Sequence, residues 1–328
     1  MIAQEINDQR SRSINLVDFF SRYGTVLAAV VIFVAFAAFS PRFLSFDNLA
    51  NVLVQISTLT VVASALTVAV VSGEFDLSVG QAAGLSAILV AGFLVWNHQP
   101  IYVAIPLAVL AAVVIGLVNG LLITWLRIPS LIATLGMGPI ALGFNYSYSG
   151  GDSIYAQMPP AFYYLSTGEI FGFLPVPVVI AAIVAMLIYV LINHTRYGRA
   201  TVATGTNIVA ARLSGINVNR CRQIAMIISG TGAGLAGVML TARLGTGQPG
   251  AGEPYLMDAL TAVFIGMTAF RPGRASVQGT IIGVVIIGML DNGLNLLGAP
   301  FFLQNIVRGV VMIAAVALAV LRGEIRFF

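Results

Sequence analysis

The stretch Ile101-Tyr-Val-Ala-Ile-Pro-Leu-Ala-Val-Leu-Ala-Ala-Val-Val-Ile-Gly-Leu-Val-Asn-Gly-Leu-Leu-Ile-Thr-Trp125 contains no charged side chain. A bilayer-spanning helix takes about 20 consecutive apolar residues, so this run reads as a membrane span and decides the class of fold. Working outward, similar apolar runs occupy 23–39, 52–71, 79–96, 131–144, 176–192, 223–240, 256–270, 277–290 and 301–321. The sequence therefore predicts an all-α, polytopic membrane protein with about ten transmembrane helices. The eighth run is short and carries Asp258, so its span is the weakest of the ten.

Composition agrees with that reading. Of 328 residues, 59% are hydrophobic and 9% charged, against roughly 25% charged in soluble chains. No stretch is left for a sizeable aqueous domain, and positions 1–328 read as one membrane domain. The leader 1–22 carries Arg10, Arg12 and Arg22 before the first apolar run. Leader and run are both long for a cleaved secretory signal, so the run reads as the first span.

All sixteen basic residues are arginine. The phosphate-binding loop of ATPases uses a lysine, so no nucleotide site of that type is encoded. One cysteine, Cys221, excludes an intrachain disulfide and a multi-cysteine metal site, and no cofactor is expected. The net charge of +4 marks topology and not a nucleic-acid surface. With both termini cytoplasmic and ten spans, thirteen arginines fall inside, and Arg42, Arg243 and Arg308 fall outside or in an outer half-span. That is the bias the positive-inside rule requires. The polar, arginine-free segment 146–173 then becomes an external loop able to cover a pore mouth.

Four Gly-x-x-x-Gly pairs, Gly80/Gly84, Gly116/Gly120, Gly230/Gly234 and Gly279/Gly283, read as helix-packing seams. Gly232, Gly234 and Gly237 also spell a dinucleotide fingerprint, with Glu253 near the position of its ribose acid. That match is accidental, because the fingerprint needs a βαβ unit and this one lies in a hydrophobic helix.

Segment 70–81 places Glu74 and Asp76 between apolar runs with no arginine nearby in the sequence. Ser78 and Gln81 form a capping-box pattern that starts a helix at Val79. Asp76 has two open roles: satisfying backbone donors at that helix start, which its position favours, or lining a polar path together with Ser78. Asn119, Asn145, Asn292 and Asp291 are each either path-lining groups or interhelical hydrogen-bonding groups. The loop 194–222 holds five arginines and no acid. Within it Thr206 is expected to cap a helix reaching Leu213 or Ser214, ended by a left-handed Gly215. This helix would lie outside the membrane, as a lipid-headgroup contact or as a docking element.

Several of these segments, in order, resemble a known family. Val209-Ala-Ala-Arg-Leu-Ser-Gly215 is similar to the Glu-Ala-Ala-x-x-x-Gly coupling loop of ABC importers, with Val209 in place of the glutamate. Thr195-Arg-Tyr-Gly-Arg199, Ser72-Gly-Glu-Phe-Asp-Leu-Ser-Val-Gly80, Pro129-Ser-Leu-Ile-Ala-Thr-Leu-Gly-Met137, Gly279-Thr-Ile-Ile-Gly283 and Asn292-Gly-Leu294 resemble the permease subunits of ribose-type and other monosaccharide ABC importers, themselves related to branched-chain amino-acid permeases. Glu74 stands where a glycine is usual, and 266–274 departs from the usual Gly-Gly-Thr-Ser-Leu-x-Gly-Gly-Arg.

The resemblance implies two permease chains around one path in a bacterial inner membrane, as a homodimer or a sister pair. It implies a separate cytoplasmic ABC ATPase docked on the coupling loop 194–222, and a periplasmic binding protein that delivers a sugar. Thr206, Asn207, Val209, Ala210, Ala211, Arg212 and Gly215 become the coupling residues. Asp76, Ser78, Asn119, Asn145 and Asn292 become the candidate polar lining. Two rivals are an ion-coupled transporter or channel using Asp76, Asp258 and Asp291, and an intramembrane enzyme, for which only His98 and His194 are available.

Overall fold

The structure is a computed structural model that describes residues 16–155, 157–269 and 273–321. The first fifteen residues of the expected leader, with Arg271, Arg322 and Arg326, lie outside the described residues.

The described residues are mostly helical. In order come α1 (Leu16–Phe39), a 3-10 turn (Pro41–Leu44), α2 (Phe46–Val71), α3 (Val79–Val95), α4 (Ile101–Thr124), α5 (Ser130–Ser149) and α6 (Pro160–Thr167). A two-residue antiparallel hairpin, β1 (Glu169–Ile170) and β2 (Leu174–Pro175), follows. Then come α7 (Val176–His194), α8 (Arg196–Thr206), α9 (Ile208–Leu213), α10 (Val218–Leu244), α11 (Glu253–Ala269), α12 (Val277–Leu296) and α13 (Phe301–Leu321).

Five of the ten expected spans, α2, α4, α7, α10 and α12, are long and apolar enough to cross a membrane. Shorter apolar helices occupy Leu27–Phe39, Val79–Val95 and Phe301–Ala317. Burial separates the long helices into two groups. The apolar windows of α2 and α10 are 72% buried, whereas those of α4 and α7 are 28% and 33% buried. Helices α2 and α10 are therefore the central pair. Outward side chains such as Leu107, Leu110 and Val114 on α4 and Ile183, Met186 and Leu187 on α7 present an apolar perimeter suited to acyl chains.

Close helix packing explains the glycine pairs. A Cβ at Gly116 or Gly230 would overlap the Met226 or Ala112 carbonyl oxygen, so the pairs of α4 and α10 face each other in one seam. Gly279 and Gly283 of α12 lie against Gly266 and Ala262 of α11 in the same way. In lipid such contacts supply the packing that water-driven burial supplies elsewhere.

Helix ends sort into two layers. At one, the C-terminal end of α2 meets α8, Gln223 Nε2 of α10 donates to Thr124 Oγ1 of α4 at 2.7 Å, and Thr67 bonds Thr280 at 2.8 Å. At the other, Tyr148 stacks on Trp96, Asn48 bonds Asn292, and Ile154 pairs with Gly247 through both backbone bonds. The segment expected as an external loop lies in this second layer. Among its described residues Phe162 is fully buried and Ser166 Oγ donates to the Ala242 carbonyl at 2.8 Å.

Two helices do not start at a layer. Between α2 and α3 the non-helical segment 72–78 turns back into the bundle, and between α10 and α11 the segment 245–252 does so from the opposite end.

Candidate functional site

The loop between α7 and α10 folds into two short helices, not the single one expected. Thr195 caps α8 by accepting the Gly198 N–H at 3.0 Å. The expected cap of the second helix is displaced by one residue. Asn207 Oδ1 accepts the N–H groups of Val209 and Ala210 at 3.0 and 2.9 Å, while Thr206 closes α8 with its hydroxyl on the Val202 carbonyl. The Asn207 carboxamide oxygen, one bond further from the backbone than a threonine hydroxyl, reaches the first-turn donors, whereas the Thr206 hydroxyl is engaged by the Val202 carbonyl. Gly215 takes the left-handed conformation at φ 79 and its N–H closes on the Arg212 carbonyl at 3.0 Å.

Ala211 is buried in this element, whereas Val209, Ala210, Arg212 and Leu213 are exposed. Leu213 at 85% and Val209 at 62% exposure form a small apolar knob on the surface of this layer. Beside it a cleft of about 620 Å³ is lined by Arg127, Arg212 and Arg222 together with Trp125. Tyr197 anchors the element by donating to the Cys221 carbonyl at 3.1 Å. Burial pushes its phenol up to about 12, so it remains a donor.

From α8 a chain of contacts leads into the bundle. Gly205 lies against the Val71 carbonyl and Gly73. The next residue along, Glu74, is buried and paired with Arg222 of α10. The sequence showed no arginine near Glu74 because this partner stands 148 positions away. Phe75 then bonds α5 twice, its N–H to Ser130 Oγ at 3.2 Å and its carbonyl from Thr134 Oγ1 at 3.3 Å.

Asp76 is 1% exposed, and its Oδ1 accepts both the N–H of Ser78 at 3.0 Å and the Ser78 hydroxyl at 2.6 Å. Asn119 Nδ2 of α4 donates to that hydroxyl at 2.9 Å. Helix α3 starts at Val79 as expected, but Ser78 makes no side-chain cap, because its hydroxyl is committed to Asp76. Asp76, Ser78 and Asn119 thus form one connected group.

The other two candidates are elsewhere. Asn292 exchanges two hydrogen bonds with Asn48, each 2.9 Å, tying α12 to α2 in the second layer. Asn145 is fully buried on α5, and neither of its amide atoms has a hydrogen bond among the described residues. Asp291 accepts two bonds from Arg308, at 2.9 and 2.7 Å, and Asp258 lies 3.5 Å from the same guanidinium. Sequence reading missed Arg222, Gly205 and Asn48, whose significance lies wholly in distant partners. No group of three metal-ligating side chains occurs among the described residues.

Long apolar helices around a buried polar centre define a multi-pass α-helical membrane protein. The chain belongs to the family described as branched-chain amino acid transport system / permease component, whose profile matches residues 48–316. It is 37% identical over 298 residues to the ribose import permease protein of Bacillus subtilis (strain 168), covering 90% of this chain and 92% of that one. It is 35% identical to the D-allose transport system permease protein of Escherichia coli (strain K12), covering 93% of each chain. It is 32% identical to the L-arabinose transport system permease protein of the same strain, covering 90% of this chain and 89% of that one. No solved structure matches the chain significantly.

Proposed function

We propose that this chain is the membrane-spanning subunit of an ATP-driven importer for a monosaccharide. The packing of Gly205 on Val71 and Gly73 carries the proposal most directly. It joins α8, which leads directly into the exposed α9, to the segment that holds Glu74 and Asp76. The relatives named for ribose, D-allose and L-arabinose support a monosaccharide cargo.

In this reading the chain has ten spans with both termini cytoplasmic, in a bacterial inner membrane, and two copies enclose the path. The layer carrying α8 and α9 is cytoplasmic, where Val209, Arg212 and Leu213 meet a separate ABC ATPase, and a periplasmic binding protein delivers sugar to the opposite layer. Nucleotide closure of the ATPase pushes on α9; α8 passes the displacement to 72–78, and the bonds of Phe75 pass it to α5. The chain itself carries out no covalent chemistry and holds no cofactor. The ion-coupled alternative would use Asp76, Asp258 and Asp291, but Arg308 engages Asp258 and Asp291, and Asp76 accepts from the N–H and hydroxyl of Ser78.

The test is uptake into proteoliposomes holding the chain together with an ABC ATPase that associates with it and a sugar-binding protein. ATP-dependent accumulation of D-ribose, D-allose or L-arabinose is expected. Equal uptake by the chain alone under an ion gradient would overturn the reading.

A further inference from the structure

Helices α3 and α11 each begin inside the bundle and run to opposite layers. Their starts touch: a Cβ at Gly80 would sit 2.9 Å from the Gly252 carbonyl oxygen and 3.2 Å from that of Glu253, and one at Gly84 would sit 3.6 Å from the Gly252 nitrogen. From Gly80 to the end of α3 at Val95 is about 22 Å at 1.5 Å per residue, so this crossing is deep beneath that layer. Helix N-termini carry partial positive charge and free N–H groups, and broken helices that place them within the bilayer form polar sites.

Two independent features mark the crossing as a place for a ligand. Asn145 is fully buried, has no hydrogen bond from either amide atom among the described residues, and places Nδ2 3.2 Å from a Cβ position on Gly84. Gln81, in the first turn of α3, likewise holds a buried Oε1 without a hydrogen bond among the described residues. Leaving amides unpaired is costly unless something else pairs them. Glu253 and Met257, one turn apart at the start of α11, are exposed. A carboxylate at that depth faces a water-filled space and not acyl chains.

We propose that Gln81, Asn145 and Glu253, at the crossing of Gly80 and Gly252, form the sugar-contacting constriction of the translocation path. This rests on the importer reading above. Amide donors and acceptors with one carboxylate match vicinal hydroxyls, each of which both donates and accepts. Few such groups along the path hold a polyol in register without trapping it.

The experiment uses the complete transporter in proteoliposomes with Cys221→Ser as background, which removes the single native thiol. Glu253→Cys is expected to react with a water-soluble methanethiosulfonate reagent, and the reaction to lower sugar uptake at least tenfold. Sugar-loaded binding protein with ATP should slow labelling at least threefold. Met257→Cys is a second reporter should Glu253→Cys assemble poorly, and Ile313→Cys, on the exposed face of α13, should stay unreactive. Gln81→Leu should change the D-ribose to D-allose uptake ratio at least fivefold while ATP hydrolysis persists. In vesicles that take up sugar, unreactive Glu253→Cys and Met257→Cys, or labelling without loss of uptake, overturns the site alone. Vesicles containing the unsubstituted chain that move no sugar overturn both the site and the importer reading.

Discussion

Gly205 of α8 packs so closely on Val71 of α2 that a Cβ at position 205 would overlap the Val71 carbonyl oxygen. The obstacle is backbone at the end of a central helix, so it cannot swing aside as a side-chain tip would. An exposed surface element is thereby seated on the root of the segment that carries Glu74 and Asp76.

Gly205→Val is expected to force α8 off that seat. Overpacking of this kind costs about 1–3 kcal/mol, which a detergent-solubilised protein would show as a lower thermal midpoint. The more telling readout is coupling: ATP hydrolysis by the assembled transporter should continue while uptake falls at least tenfold. Wild-type uptake by the valine variant would show that this contact transmits nothing.

Glu74 and Arg222 should behave as a coupled pair. Removing one partner of a mostly buried ion pair leaves the other uncompensated, at about 3 kcal/mol. Glu74→Ala and Arg222→Ala should each approach that loss in unfolding titrations. The double variant should be less destabilised than the sum of the two by at least about 1 kcal/mol. Simple additivity would mean that the pair is solvated and energetically idle.

The caps of α8 and α9 separate two adjacent residues. Asn207→Ala removes the acceptor for two N–H groups of α9 and should cost about 1 kcal/mol locally. Thr206→Ala removes only a hydroxyl bonded back to Val202, and surface changes of that kind stay within about 0.5 kcal/mol. Amide hydrogen exchange at Val209 and Ala210 should accelerate in the first variant and not in the second.

Gly215→Pro addresses the other end of α9. Proline fixes φ near −65° and removes an N–H, whereas Gly215 sits at φ 79 and uses its N–H on Arg212. The bundle should still insert, and hydrolysis should lose its connection to uptake. Normal transport in this variant would argue that α9 is not the docking element.

Arg308→Met tests whether Asp258 and Asp291 depend on one guanidinium. Both carboxylates are buried, so losing their shared partner should destabilise the bundle by about 3 kcal/mol or more. Arg308→Met combined with Asp258→Asn and Asp291→Asn should recover much of the loss. If the single variant unfolds like the wild type, the cluster is hydrated and free for another role.

The apolar runs and the glycine pairs were legible in the sequence because lipid imposes its demands locally. Each span must bury its own backbone groups and be apolar along its length, and each seam needs small residues one turn apart. The short surface helix of segment 194–222 was legible too, through a turn glycine and a cluster of arginines, although its cap was read one residue early. Choosing between Thr206 and Asn207 depends on where α8 stops, and it stops one residue beyond the contact of Gly205 with Val71.

What the linear order could not contain was partnership across the bundle. Glu74 looked unpaired until α10 brought Arg222 beside it, and Asn292, open in the sequence between a path-lining and an interhelical role, exchanges hydrogen bonds with Asn48 of α2. Glu253 belonged to an accidental motif until 245–252 carried the start of α11 onto Gly80. Hydrophobicity along one chain fixes which segments enter the membrane. Only the mutual packing of those segments determines which buried polar groups satisfy one another and which are left to face something else, because a hydrogen bond or ion pair depends on distance in space and not on separation in sequence.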